Sequence, residues 1–490
     1  MRASGRTLAA AMALWSCAAD PPDTGSAPAA GGSAPSREAL ALSNRGAVFL
    51  QQNSPRRALT ALRRAVDLAP ELPDAHFNLG LVLARLGQHA EAVTAFERAG
   101  RLGFDGVGLH LALGTSLRAL NRYAQADAAF SRALPLAPGR ADLHLSRGEV
   151  LRAMGRLDSA LAAFERSAAL DSTLGEGHRY RGELLAATGR LDEAADAYSR
   201  AIALEPGNLG SLLGRAEVRR RSGDFDAALR DLAAALDLDP RSERAHYLRA
   251  SVADEQGSPD EAAESRRAFQ RLTASRRHFD QAQVYAGRSQ RPAAEAELLR
   301  ALEVDSTFAE AWLQLGVLRL ADGRPRDSLR PLQQAAALRP LESRARELQG
   351  EAHLRLGRPE AALAAFTTAE SLRPSSAAAI SGRGRALFAL ERDDEAASAF
   401  RRLHDLDPDA LAAYFHLGLI YARKGRTREA AASLRQSLAV DPDHIGAHYA
   451  LGTLLAESGD AAGARRHLSR VLSLDPGHSR AEERLAALAP

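Results

Sequence analysis

The sequence predicts an all-α chain built by stacking antiparallel helix pairs. Three observations carry this reading. A unit of 34 residues recurs thirteen times between residues 39 and 478. Small residues recur at fixed places within it. Aromatic residues make up only 5 % of the 490, with two Trp, so a core must be assembled from Ala and Leu. Runs of Val, Ile and Thr are few, which argues against sheets.

The first 17 residues read as an export signal. Arg2 and Arg6 precede an apolar stretch from Leu8 to Trp15, which is too short to span a bilayer. It ends in Leu14-Trp15-Ser16-Cys17, and Cys17 is the only cysteine. This resembles the bacterial lipoprotein signal, with Leu14, Ser16 and Cys17 in the expected places and Trp15 departing from them. The resemblance implies lipidation at Cys17. The other reading of the same residues is cleavage near Ala18 or Ala19, with Cys17 discarded. Residues 18–38 follow, rich in Pro, Gly, Ser and Ala, and are expected to be a flexible linker.

The repeat begins at residue 39. Its eighth place holds Gly46, Gly80, Gly114, Gly148, Gly182, Ala216, Ala250, Ala282, Gly316, Gly350, Gly384, Gly418 and Gly452. The twentieth is Ala in twelve units and Ser328 in the other. Such residues let two helix axes approach to about 8–10 Å. Nine units carry Gly at the fifteenth place, where the first helix stops, and nine carry Pro at the thirty-second, where the second stops. Every step is 34 residues except Ala250 to Ala282, which is 32. Unit seven also lacks its Pro, and its second helix is expected to run through residues 266–279. The seam divides the array into residues 39–274 (units one to seven) and 275–478 (units eight to thirteen), with a change of superhelix pitch expected there. Residues 479–490 hold Ala481, Leu485 and Leu488 at helical spacing, a capping helix for the open end of the stack.

This pattern resembles the tetratricopeptide repeat. The resemblance implies a right-handed superhelical solenoid, with first helices lining a concave groove at places two, five, nine, twelve and thirteen. It implies a non-enzymatic scaffold that binds protein or peptide partners in that groove, here at the bacterial cell envelope. The alternatives are a binder of envelope polysaccharide or peptidoglycan, and an adaptor subunit of an enzyme carried on another chain.

Groove candidates follow from those places. Place five is mostly apolar: Phe77, Leu111, Leu145, Leu213, Tyr247, Phe279 and Leu313 form a line. Place nine is Glu149, Glu183 and Glu217 in three successive units, with Arg152, Arg179 and Arg220 nearby. These charges read either as a docking patch for a charged segment or as a self-paired surface of little energetic weight. Place nine is never Asn, which argues against the carboxylate clamp of chaperone-binding repeats.

Other classes are excluded or unsupported. Lys+Arg is 64 against Asp+Glu 61, a net +3 that leaves no footprint for nucleic acid. No phosphate-binding loop, nucleophile elbow or zinc-protease motif occurs, so neither cofactor nor small-molecule substrate is expected. Six histidines share the fourth place (His76, His110, His144, His178, His246, His448), a recurrence that reads as seam packing rather than metal ligation. His444 and His448 straddle a turn, a poor placement for a shared metal.

Overall fold

The computed structural model describes residues 36–52 and 54–488, so Cys17 and most of the expected linker lie outside the described residues. Among the described residues every regular element is an α-helix, 26 in all. The first begins earlier than the linker boundary implied. Helix Arg37–Gln51 is capped by Ser36, whose hydroxyl accepts from the Ala39 N–H at 3.1 Å. The last helix runs Ser479–Ala486, shorter than the expected 479–490, with Ala481 buried against Leu468 and Val471.

The described residues form two compact units, one ending at Phe269 and the other beginning at Gln270. In the first, seven first-helices run from Arg37–Gln51 to Glu243–Gln256, each followed by its antiparallel partner. In the second, Arg291–Val304 completes unit eight, and pairs run from Ala309–Ala321 onward to Ala461–Leu474. The expected seam lies inside one 29-residue helix, Pro259–Gly287, which replaces both the second helix of unit seven and the first of unit eight. The two missing residues thus remove a turn altogether, and the helix extends past the expected residue 279.

The sequence of that helix is fitted to its fusion. At place three the other twelve units carry Ala, Leu, Gly or Ser, and unit eight carries Arg277. In a regular unit this place packs on the second helix of the unit before, as Ala75 does with Ala65 and Leu143 with Ala133. The residues preceding Arg277 belong to its own helix and cannot fold back onto that face. Arg277 is accordingly exposed, and Val284, at the tenth place, is 45 % exposed.

Within each pair a large side chain of the second helix fills the space left by place eight. A Cβ on Gly80 would sit 2.5 Å from Cε1 of Phe96, and one on Gly148 2.5 Å from Cε1 of Phe164. Where place eight is Ala, the opposite residue is smaller or polar: Ala216 faces Leu232 and Ala282 faces Leu298. The turns obey one backbone rule. The nine Gly at place fifteen, such as Gly87 and Gly155, have φ between 66° and 87°, and three units without Gly place Asn121, Ser289 and Glu391 in the same left-handed region.

Polar groups close the seams between units. The place-four ring N–H of His76, His144, His246 and His448 donates to the carbonyl of Pro70, Pro138, Pro240 and Pro442 at 2.9 to 3.3 Å. At place thirteen, Arg85, Arg221, Arg355 and Arg423 donate to the carbonyls of Leu50, Ala186, Leu320 and Phe388 in the unit before, at 2.7 to 3.4 Å. Those carbonyls end the preceding first helix and have no partner within it.

Candidate interaction surface

The place-five residues do not form one open line. In the first unit, Leu111, Leu145 and Leu213 are 4, 8 and 4 % exposed and lie in cores with Phe130, Phe164 and Leu232. They fasten the first helices and offer a partner almost no surface. Phe77 is half-buried, stacked on Phe104 at 4.5 Å. Tyr247 differs: it is 56 % exposed, with Phe269 beneath it at 5.7 Å. In the second unit, Phe279 packs on Phe308 at 4.8 Å. Leu313 is half-buried in a shallow depression with Glu310, Arg339 and Glu342.

The charged row is consumed by its own ion pairs. Glu149 pairs with Arg118 and accepts from the Tyr180 hydroxyl at 2.6 Å. Glu183 pairs with Arg179, and Arg152 approaches it at 3.9 Å. Glu217 holds Arg220 with two bonds at 2.8 and 3.1 Å, and Arg220 also reaches Glu255. Arg118 and Arg152 occupy place twelve, so each ties itself to the place-nine Glu of the next unit. Tyr180 is the hub: its ring stacks on Phe164 at 5.1 Å, with Arg179 over it at 4.0 Å and Arg152 at 5.4 Å. The Glu217 carboxylate, then Glu255, raises the Arg220 pKa. Burial alone lowers that of Arg118. Burial acts against the charge on Arg179 too, but Glu183 and Tyr180 hold its pKa above the ordinary value. The arrangement is neutral overall and fixes neighbouring first helices in register. Arg118, Tyr180 and Glu255 were not singled out from sequence. The place-twelve to place-nine spacing between Arg118 and Glu149 was the signal that could have found them.

A second cluster lies in units twelve and thirteen, where the place-five pattern continues and each aromatic ring is paired with a histidine that sequence alone did not connect to it. Phe415 and Tyr449 occupy place five, and His444 and His478 the thirty-fourth place of the same units. The ring centroids are 4.9 Å apart for Phe415–His444 and 5.0 Å for Tyr449–His478. Each histidine caps the next helix, its Nδ1 accepting from Ala447 N–H at 3.0 Å and from Ala481 N–H at 3.2 Å. His448 Nδ1 faces His467 Nδ1 at 2.9 Å while its Nε2 serves Pro442. Among the described residues no group of three His, Cys, Asp or Glu is placed to hold a metal. None of their helices is long and apolar enough to cross a membrane.

The repeat geometry agrees with the sequence comparisons. Residues 44–103, 111–174, 213–276, 313–377, 349–410 and 381–432 match one tetratricopeptide repeat pattern, residues 421–488 a second and 175–208 a third. The chain belongs to the tetratricopeptide repeat family, whose members generally mediate protein–protein interaction without catalysis. It is similar to a chain of the APC/C hetero-tetramer Cut9-Hcn1, at 15 % identity over 93 % of this chain and 97 % of that one, TM-score 0.41. It is similar to Pseudomonas aeruginosa PilF at 17 % identity over 44 % and 99 %, TM-score 0.39. It is similar to YrrB, a TPR protein with an unusual peptide-binding site, at 22 % identity over 38 % and 95 %, TM-score 0.34. No curated protein matches the sequence.

Proposed function

We propose that this chain is a non-enzymatic scaffold at the bacterial cell envelope, holding protein or peptide partners on the faces of its first helices. The observation that carries the reading is the contrast at place five within one family of repeats. Leu111, Leu145 and Leu213 are spent on the core, while Tyr247 stands 56 % exposed with its ring supported by Phe269. A supported, exposed aromatic is the residue type that anchors partners. The pairs Arg118–Glu149, Arg152–Glu183 and Arg220–Glu255 hold neighbouring first helices in register. A rigid face costs less to order on binding. The envelope setting rests on Leu14, Ser16 and Cys17 at the end of the apolar stretch.

Two measurements test this. Metabolic labelling with a fatty acid should mark the wild type and not Cys17→Ser, and the variant should leave the membrane fraction. Equal release of both refutes the anchor. Tyr247→Ala and Glu183→Arg should reduce partner capture from envelope extracts, whereas Arg166→Glu on an outer, second helix should not. Leu145→Asp is unsuitable, since it would place a charge in the core around Phe164. Loss of capture by Arg166→Glu alone would move the working surface to the second helices.

A further inference from the structure

We propose that the exposed side of the helix Pro259–Gly287, around Arg277 and Val284, is a docking site for an acidic amphipathic helix of a partner protein. This adds a second site to the scaffold reading and rests on it. In a regular seam the first helix is covered by the second helix of the unit before. Ala58 and Leu62 cluster with Val82 at place ten, and Ala65 with Ala75 at place three. Val82, Val150 and Val252 are accordingly 0 % exposed. Unit eight has no such covering helix, because the residues before Arg277 continue the same helix. Val284 is 45 % exposed, as open as Val48 in unit one, where no repeat precedes. Place ten nonetheless holds the valine of the covered seams.

The charges specify what covers this side. Arg277, Val284 and Arg288 stand at i, i+7 and i+11 and so share one side of the helix. Arg288 continues the last turn, its N–H donating to the Val284 carbonyl at 3.2 Å. Arg271, Arg277 and Arg288 are exposed and form no ion pair among the described residues, whereas Arg266 of the same helix pairs with Asp254. No acidic residue stands between Glu264 and Asp280. A helix lying on Val284 would also cover Arg277, two turns away at about 10 Å along the axis. A guanidinium covered by another helix is costly unless a carboxylate meets it. The occupant must therefore bring an acid for Arg277 as well as an apolar residue for Val284. The regular seams give its register. There, place ten meets places twenty and twenty-four, and place three meets place twenty-seven. The occupant runs antiparallel, with apolar residues at n and n+4 over Val284, Asp or Glu at n+7 over Arg277, and a further acid at n−4 for Arg288. A phosphate-rich surface would engage the arginines but has no use for Val284, and one apolar side chain is too little to hold a membrane.

The test uses the full chain and a fluorescein-labelled helix of about 18 residues, five turns, built from Ala, Leu and Glu on this register with Glu at n−4 and n+7. A second peptide carries Lys in place of both Glu. The Glu peptide should bind saturably, and more weakly as salt rises, while the Lys peptide should not bind. Arg277→Glu should weaken binding at least tenfold and Val284→Ser several-fold, and Arg166→Glu should leave it unchanged. A peptide with Lys at n+7 alone should recover binding to Arg277→Glu. Thermal melts confirm that each variant stays folded. Absence of saturable binding, equal binding of the Glu and Lys peptides, or no recovery by the swapped pair overturns the proposal. Phosphatidylglycerol vesicles bound through Arg277, without peptide binding, assign this side to a lipid surface and overturn it. Self-association of the chain that Val284→Ser abolishes, without peptide binding, assigns it to a second copy and overturns it likewise. Partner capture that depends on Tyr247 while the peptide fails leaves the scaffold reading standing and removes this one.

Discussion

Gly80→Ala measures how tightly each helix pair is wedged. The new Cβ would lie 2.5, 2.6 and 2.9 Å from three atoms of the Phe96 ring. That ring is fully buried, with Phe77 against it at 5.9 Å, so it cannot swing aside. Overpacking of this kind costs about 1–3 kcal/mol, and contact with three ring atoms places the cost near the top of that range. Replacing Gly by Ala inside a helix returns about 1 kcal/mol. The net is a destabilisation of about 2 kcal/mol, roughly a 30-fold shift in the local opening equilibrium. Native-state hydrogen exchange of amides in Pro73–Arg85 reads that quantity locally, which suits a repeat array whose unfolding need not be two-state. Adding Phe96→Leu should recover part of the loss, because Ala216 already lives opposite Leu232. Gly139→Ala, with nothing within 4 Å of its Cβ, should change little. Exchange in Gly80→Ala as slow as in the wild type would refute the wedge.

Three further predictions follow from the same geometry. Glu391 holds φ of 59°, so Glu391→Gly should stabilise unit eleven by about 1 kcal/mol in urea unfolding, and Gly155→Ala should do the reverse in unit four. Asp231, 4 % exposed, accepts two bonds from Arg215 at 2.7 and 2.9 Å and one from Arg219 at 2.8 Å; Asp231→Ala should destabilise by about 3 kcal/mol by stranding Arg215. Burial pushes His416 down to about 4, so the folded chain keeps it neutral while the unfolded chain takes up a proton as pH falls through 6.5. Stability is therefore full above 6.5, falls by about 3 kcal/mol between 6.5 and 4, and loses nothing more from this group below 4. His416→Gln should flatten that slope in urea titrations at stepped pH. Burial lowers His89, His144, His178, His353 and His467 as well, so part of the slope will remain.

The helix pairs were legible because each demands a residue type at a fixed place. Place eight must be small against Phe96 or Leu232, and place fifteen must tolerate positive φ, so both recur through the chain. The seam was legible only as a missing pair of residues. Its consequence, a single helix from Pro259 to Gly287, was written at Arg277, where every other unit has a small or apolar residue. The surface was harder to read, because apolarity at place five does not distinguish a packed Leu145 from an open Tyr247. That difference depends on how far each side chain reaches and on what lies under it. The Arg118–Glu149 and Arg220–Glu255 pairs join residues 31 and 35 positions apart, a link that only the stacking of units creates. The histidine couples needed the cap geometry, which holds each ring beside the aromatic of its own unit.

The central claim is that first-helix faces hold the partner. Photo-crosslinking in living cells tests it most directly, with p-benzoylphenylalanine placed at Tyr247 and, on outer second helices, at Arg166 and Arg230. The account predicts discrete protein adducts from Tyr247 and none from the other two positions. Adducts from Arg166 and Arg230 alone would contradict it.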